Sequence, residues 1–140
     1  MSSIQPRHGY PGNTKSYTST AVLTGGQLVM RASGTDLVTP AAALSAICVG
    51  VALDDDPATP AFVGGPFVGE GHEVTVIWNA EVPVTYAAAA TEGQKLVCAA
   101  NGQVTPYIPG TNDASLIVGT CEVATASGAV GFAWINPTGR

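Results

Sequence analysis

Acidic residues and histidines are the first candidates for chemistry in this sequence. Residues 54–56 are three consecutive aspartates, whereas a calcium-binding loop alternates its oxygen ligands and adds a distal bidentate glutamate, so we expect a solvated acidic turn. His72 lies between Glu70 and Glu73, and the second histidine, His8, is far away in the chain. No nucleophile elbow, P-loop, dinucleotide fingerprint or HExxH motif occurs. The sequence therefore predicts no metal site, no cofactor and no enzyme activity.

Cysteines and tryptophans are the other side chains with chemistry to offer. The cysteines, Cys48, Cys98 and Cys121, form no CxxC pair and lie in apolar, strand-like runs, which favours buried free thiols over a disulfide or metal role. The two tryptophans, Trp78 and Trp134, close corresponding apolar segments. We expect them to pack in the core or to anchor an interface, and binding of a sugar ring is the alternative.

The composition of the 140-residue chain narrows the classes of function. Charged residues make up 11%, against about 25% in ordinary soluble domains, which suggests a surface partly covered by other chains. The net charge of −5 argues against a general nucleic-acid binder. The longest apolar run, residues 41–53, is shorter than the roughly 20 residues of a membrane helix, and the N-terminus has no apolar signal segment. We therefore expect one domain with one core, no membrane span, and a chain made and kept in a cytoplasm.

Two stretches of the sequence echo one another and organise the rest of the chain. Residues 24–40, TGGQLVMRASGTDLVTP, match residues 91–106, TEGQKLVCAANGQVTP, and each copy continues to a Val-Gly pair and then to a tryptophan. The offset falls from 69 residues at the Val-Gly pairs to 56 at the tryptophans, so the first copy carries 13 extra residues in an insertion loop at about residues 54–73. We predict a duplicated half-domain, with repeat halves at about residues 21–84 and 85–137, and chance similarity is the alternative.

Short strands separated by turn signals predict an all-β fold of about nine strands, a small β-barrel. The Asn101-Gly102 pair predicts a type I′ hairpin turn, because both central positions of that turn need positive φ. Gly50 and Gly119 lie in strands that we expect to be buried, where a glycine predicts a bulge or a close backbone approach. The side chains predicted to face the core are Leu28, Met30, Leu96 and Cys98.

Two segments stand apart from the predicted barrel at residues 21–140. Residues 1–20 are poor in apolar side chains and rich in proline and glycine, so we expect an extended arm that orders on an acidic or polar partner, or else a disordered tail or expression leader. The insertion loop is rich in proline and glycine and carries Phe62 and Phe67. Long loops of this kind are usually functional, and these two aromatics favour a subunit contact.

The twin GQ-LV hairpins, each ending in VTP and followed by an apolar strand with a central Val-Gly, resemble the head decoration, or capsid cement, proteins of tailed bacteriophages. The resemblance covers roughly residues 17–137. It implies a small β-barrel or β-tulip with a lambda-type decoration role, commonly a homotrimer, that binds the outer face of the expanded capsid. It also implies that the arm at residues 1–20 orders on the shell. The arm residues that would contact the capsid are Arg7, His8, Tyr10, Lys15 and Tyr17. Phe62 and Phe67 of the insertion loop would contact a neighbouring subunit or the capsid.

The function expected from this resemblance is a capsid decoration protein that stabilises the head by joining neighbouring subunits of the major capsid protein. Such a protein would be made in the host bacterial cytoplasm and would reside on the outer capsid surface of the virion, without nucleic-acid or membrane partners. The alternative is another structural β module of a phage particle, such as a glycan-binding tail or fibre adhesion domain. A third class is an enzyme-associated carrier domain built as a barrel from duplicated halves. It would need a modifiable lysine at a hairpin tip, whereas Lys95 begins a predicted strand.

Overall fold

A computed structural model describes residues 13–34, 36–53 and 72–138 of the chain. Within these residues the fold is almost entirely β, with a closed barrel, and the predicted fold class is confirmed. No helix in these ranges is long and apolar enough to cross a membrane. The strands are β1 (Asn13–Ser19), β2 (Leu28–Arg31), β3 (Leu37–Pro40), β4 (Cys48–Ala52), β5 (His72–Trp78), β6 (Ala80–Thr85), β7 (Lys95–Cys98), β8 (Val104–Pro106), β9 (Gly119–Cys121) and β10 (Val130–Ile135).

The first five strands close into a barrel in the order β1-β3-β2-β4-β5. Four of the contacts around the barrel are antiparallel, and the fifth is a short parallel pairing of β1 with β3. In this seam Thr18 lies opposite Leu37 and Ser19 lies opposite Val38. The backbone N–H of Thr18 donates to the carbonyl of Asp36 at 2.8 Å. The barrel therefore closes through the last residues of β1.

The remaining five strands form a second sheet in the order β6-β10-β9-β7-β8. The barrel order is circular, because β5 also pairs with β1. The second sheet, written as β8-β7-β9-β10-β6, follows the barrel order β3-β2-β4-β5-β1, so β6 takes the place of β1 and β10 the place of β5. A parallel bridge from Tyr86 to Val104 stands where β1 meets β3 in the barrel. The chain changes sheet at Asn79, whose φ is 57°, earlier than the boundary predicted at residues 84–85. The common strand order is what the predicted duplication requires, and the duplication itself stays an interpretation.

Two separate clusters of buried side chains hold this architecture together. One fills the barrel interior and includes Tyr17, Val29 and Val76. The larger one lies between the barrel wall and the inner face of the second sheet, and it includes Leu28 and Leu96. Because Leu28 and Val29 are adjacent on β2 and both fully buried, that strand is covered on both faces. The predicted core-facing residues thus pack between the sheets, and the barrel interior uses the alternate positions.

Matching turns precede the first strand of each hairpin. In the first, the backbone N–H of Thr24 donates to Gln27 Oε1 at 3.1 Å, and in the second, the N–H of Thr91 donates to Gln94 Oε1 at 3.0 Å. In both turns the glutamine backbone N–H also donates to the threonine carbonyl. The glutamine is therefore repeated for a structural reason, because its side chain satisfies the backbone of the turn.

Three glycines take the positions that the sequence indicated. Asn101 and Gly102 both have positive φ, at 57° and 69°, which confirms the predicted hairpin turn. A Cβ on Gly50 would lie 2.5 Å from the carbonyl oxygen of Ile77, and one on Gly119 would collide with the carbonyl of Trp134. The predicted close backbone approach is thus confirmed at both positions, where β4 pairs with β5 and β9 pairs with β10.

The predicted arm is too long at its C-terminal end. Residues 13–19 form β1 and pair with the whole length of β5, from Asn13 opposite Trp78 to Ser19 opposite His72. The Tyr17 side chain is 2% exposed inside the barrel, so it is a core residue and cannot contact a capsid from this position. The physical reason is the alternation of β1, which sends Tyr17 and Ser19 inward while its first four residues are exposed.

Candidate interaction surfaces

The residues predicted to contact a partner divide into two groups. Most of them lie outside the described residues, so the structure does not place their side chains. Lys15 and Tyr17 belong to β1. The acidic run at residues 54–56 also lies outside the described residues. The predicted contact residues outside them are Arg7, His8, Tyr10, Phe62 and Phe67.

Lys15 is engaged within the chain. Its Nζ lies 2.9 Å from Asp36 Oδ1 and 5.1 Å from the centre of the Tyr17 ring. Both charged side chains are about half exposed, at 45% and 48%, so the ion pair contributes on the order of 0.5 kcal/mol. Asp36 precedes β3, and the pair therefore spans the β1–β3 seam. Of the two positive charges in the predicted arm, Lys15 is thus balanced by a neighbour in the barrel.

The two tryptophans hold corresponding places in the two sheets. Trp78 ends β5 opposite Asn13, and Trp134 lies in β10 opposite Glu81 and Thr120. Both indoles are half-buried. At this burial neither ring stands clear of its sheet as a flat platform for a sugar.

Strand β10 carries a line of apolar side chains on its outer face, which we name the β10 stripe: Val130, Phe132 and Trp134. The alternate residues Ala133 and Ile135 are buried against the barrel, so the stripe must face away from it. Val130 is 65% exposed, and the other two are half-buried.

The residues of the barrel that correspond to the β10 stripe are more deeply buried. Counted back from each tryptophan, Val74 and Val76 of β5 correspond to Val130 and Phe132 of β10. Both valines are buried in the barrel interior. In the second sheet Val130 is exposed and Phe132 is only partly buried, so the β10 stripe is less covered than the corresponding residues of the barrel.

A second apolar surface is the loop between β3 and β4, residues 42–47, which we name the Leu44 loop. Leu44 and Ile47 are both 45% exposed, and Ala42 and Ala43 beside them are also exposed. The Leu44 backbone has a φ of 55°, a conformation that is rare for a bulky non-glycine residue and that is tolerated where the surroundings hold it.

Hydrogen bonds from three directions fix the Leu44 loop. The N–H of Leu44 donates to the carbonyl of Cys98 in the second sheet at 2.9 Å. The buried Ser45 hydroxyl accepts from the N–H of Ile47 at 3.2 Å and donates to Met30 Sδ at 3.5 Å. The loop therefore holds Leu44 outward in a set position, tied to both the barrel and the second sheet.

A shallow polar cleft of about 270 Å³ lies where the two sheets meet. Gln27 crosses it, since its Nε2 donates to the carbonyl of Asn101 at 2.9 Å. The polar groups that line the cleft are neutral hydroxyls, amides and backbone atoms. The lining residues are Thr24, Gly25, Gly26, Gln27, Thr85, Asn101, Gly102 and Gln103.

The shifted pKa values of Asp113 and Tyr86 have structural causes. Hydrogen bonds from the backbone and side chain of Ser115 hold the pKa of Asp113 below its usual value, as expected for a carboxylate that caps a turn. Burial, followed by a hydrogen bond with Cys121, raises the pKa of Tyr86, whose hydroxyl donates to the carbonyl of Phe132 at 3.1 Å. Among the described residues, no group of three His, Cys, Asp or Glu side chains is placed to hold a metal ion.

Neither apolar surface was identified from the sequence. The alternation that makes the β10 stripe is visible in VGFAW, but a pattern of period two does not say which face another sheet covers. The sequence of the Leu44 loop is typical of an alanine-rich helical turn, and nothing in the neighbouring residues predicts a positive φ for Leu44.

The fold defines a class of protein, a small all-β module in which a closed five-stranded barrel packs against a second five-stranded sheet of the same strand order. Among solved structures, the chain is similar to the N base of the head fibre gp8.5 of bacteriophage phi29. The TM-score is 0.53 at 16% sequence identity, and the match covers 88% of this chain and 92% of that chain. No protein-family model matches the sequence, and no curated protein matches it. At this identity the likeness shows a shared fold.

Proposed function

We propose that the protein is a structural component of a phage head, a non-enzymatic decoration protein that binds the outer surface of the expanded shell. In this role it stabilises the head by joining neighbouring major capsid protein subunits. The observation that carries the proposal is the likeness in fold to the phi29 head fibre base over nearly the whole of both chains. The resemblance of the twin hairpins to capsid decoration proteins supports it independently.

The surface chemistry also supports a structural role. Only 11% of the residues are charged, and the described surface presents the Leu44 loop and the β10 stripe. Apolar surfaces of this kind mark sites where another protein binds. A trimer brings several copies of each surface to the shell, so many weak contacts act together with an avidity beyond any one of them. We propose a homotrimer for this reason, with residues 1–12 as an additional contact segment that carries Arg7, His8 and Tyr10.

The stabilising effect follows from linkage. A protein that binds the expanded shell and not its disassembled subunits shifts the equilibrium toward the intact shell. Expanded heads that lack a decoration protein should therefore disrupt at a higher temperature after the protein is added at saturating concentration. The measurement is release of an encapsidated dye or DNA during heating, with and without the protein. An unchanged disruption temperature, at a concentration where binding is observed, would exclude the stabilising role.

A variant of Leu44 separates binding from folding. In Leu44→Asn the apolar side chain is lost, while asparagine tolerates the left-handed backbone better than leucine does. We expect the melting temperature of the free protein to stay the same or rise, and the stabilisation of heads to decrease. Ile108→Asn is the matched control, because Ile108 is an exposed residue of another loop, at 54%. Equal loss in both variants would remove the Leu44 loop from the mechanism.

The base of a head fibre is a second candidate, favoured by the name of the similar structure. Such a protein would bind the head in the same way and also hold a projecting partner. A glycan-binding adhesion domain is less well supported, because both indoles are half-buried. Glycan-array binding that disappears in Trp134→Ala, with the fold intact, would favour the adhesion domain over the decoration protein.

A further inference from the structure

The pair Asn101-Gly102 is the one place in the sequence where a glycine follows an asparagine. This pair is prone to deamidation, because a residue without a side chain leaves its backbone nitrogen open to reaction with the neighbouring amide. In that reaction the Gly102 nitrogen bonds to the carbonyl carbon of the Asn101 side chain, and ammonia leaves. Asn101 is exposed beside the polar cleft, so water reaches its side chain.

The backbone conformation of Asn101 keeps the two reacting atoms apart. The intermediate is a five-membered succinimide ring, so the Gly102 nitrogen must lie on the same side of the Asn101 Cα–C bond as the Cβ. Asn101 has a φ of 57° and a ψ of 37°, and at this ψ the nitrogen points almost directly away from the Cβ. Ring closure needs reacting atoms that are close and aligned. The peptide group between Asn101 and Gly102 must therefore turn over before the reaction can start.

Both polar atoms of this peptide group are held by residues of the barrel. The carbonyl of Asn101 accepts from Nε2 of Gln27, which precedes β2, at 2.9 Å. The N–H of Gly102 donates to the carbonyl of Ala41, which follows β3, also at 2.9 Å. Turning the peptide group over breaks both hydrogen bonds, so the contact between the two sheets must open first.

The equivalent glutamine of the second hairpin lacks this contact. Gln94 accepts from the N–H of Thr91 in the same way as Gln27 accepts from Thr24. Within the described residues, the hydrogen bonds of the Gln94 side chain are both with Thr91, whereas Gln27 also donates to Asn101. The two glutamines therefore share one role in their turns and differ in the bond that crosses between the sheets.

We propose that Asn101 is a deamidation site that the contact between the two sheets keeps closed, so that it reacts from an opened state and not from the folded one. In the opened state hydroxide or water takes the proton of the Gly102 N–H, the nitrogen attacks Cγ of Asn101, and the bond from Cγ to the amide nitrogen breaks with release of ammonia. Water then opens the succinimide at either carbonyl and gives aspartate or isoaspartate. Over both steps one water is consumed, one ammonia is formed, and no atom is oxidised or reduced.

Isoaspartate at this position would prevent the contact from forming again. Its chain runs through the former side chain, which lengthens the backbone by one methylene group. The hairpin has no room for the change, because even a Cβ on Gly102 would collide with Gln27 and with the backbone of Leu28. An opening that ends in this reaction therefore makes the loss of contact permanent. This inference concerns the junction of the two sheets and does not depend on the proposed role at a phage head.

The test compares deamidation of the full-length protein in its folded state and in guanidinium chloride, at the same pH and temperature. Tandem mass spectrometry of the tryptic peptide of residues 96–140 measures the conversion of the Asn101 amide to a carboxylate over time. We expect Asn101 to react roughly 10- to 100-fold more slowly in the folded protein, because two hydrogen bonds must break before ring closure. Equal rates in the two states would overturn the proposal.

Gln27→Ala and Gln94→Ala provide the matched comparison. Each variant removes the glutamine of one turn, but only Gln27→Ala removes the hydrogen bond to the Asn101 carbonyl. Folded Gln27→Ala should therefore deamidate at Asn101 roughly three- to tenfold faster than the wild type, and folded Gln94→Ala should keep the wild-type rate. Circular dichroism confirms that each variant is folded. If Gln27→Ala does not fold, the comparison of folded and unfolded wild-type protein decides the question. An unchanged rate in folded Gln27→Ala, or an equal increase in both variants, would overturn the proposal.

Discussion

At the scale of single residues, Tyr17 shows how position in a strand decides the role of a side chain. The sequence places it in a polar segment rich in proline and glycine, where an aromatic ring suggests a contact with a partner. In the fold it is almost fully buried among Val29, Val38 and Val76 of the barrel interior. The ring lies in the barrel interior, and the ammonium nitrogen of Lys15 is 5.1 Å from its centre.

Replacing Tyr17 with alanine should destabilise the protein by about 3–5 kcal/mol, because it leaves a cavity in a closed barrel that has little room to collapse. Chemical denaturation followed by circular dichroism measures this loss. Lys15→Ala is the control from the same strand, and it should cost less than about 1 kcal/mol, since its ion pair is half exposed. Equal and small effects in the two variants would contradict a core role for Tyr17.

Gly102 joins the two sheets at a point where no side chain fits. A Cβ there would lie 2.5 Å from the carbonyl oxygen of Leu28 and 2.9 Å from its nitrogen, and the backbone φ is +69°. We expect Gly102→Ala to lower the free energy of unfolding by roughly 2–4 kcal/mol, through backbone strain together with displacement of Leu28. Thermal melting of Gly102→Ala and of a control variant, Gly110→Ala, measures this loss.

The matched control is Gly110→Ala. Gly110 also has a positive φ, +84°, but a Cβ there meets nothing within 4 Å. It should therefore show only the conformational cost, about 1–2 kcal/mol. If both substitutions have the same effect, the contact between Gly102 and β2 is not what limits this position.

At the scale of elements, β1 divides what the sequence predicts from what it does not. The hairpins β2–β3 and β7–β8, the Asn101-Gly102 turn and the close approaches at Gly50 and Gly119 were all predicted, because each depends on neighbours in the chain or on the chemistry of glycine. The place of β1 was not, because its pairing with β5 and β3 joins residues that are far apart in sequence. A polar strand of seven residues, with only Tyr17 and Ser19 turned inward, gives too weak an alternation to identify a strand.

Two truncations test the revised boundary of the barrel. Deletion of residues 1–12 removes no described strand, so the protein should keep its circular dichroism spectrum and its cooperative melting. Deletion of residues 1–20 also removes β1, which opens the barrel and exposes its interior, so cooperative unfolding should be lost. If the longer truncation melts like the full-length protein, β1 is not an integral strand of the barrel.

At the scale of the whole molecule, two five-stranded sheets of the same order differ in how they are covered. The first closes on itself and seals Val74 and Val76 inside, while in the second Val130 of the β10 stripe is exposed and Phe132 is only partly buried. The candidate surfaces were beyond sequence reasoning for this reason, since burial depends on which sheet packs against which. The predicted segments at residues 1–12 and 54–71 remain predictions, because they lie outside the described residues.

The measurement that tests the proposed function most directly is sedimentation with phage heads of known state. The protein is mixed with expanded, undecorated heads and, separately, with unexpanded procapsids, and each mixture is centrifuged. We predict that the protein sediments with the expanded heads at a fixed number of copies per head and stays in solution with the procapsids. Failure to sediment with expanded heads would contradict the proposal that this β module is a head decoration protein.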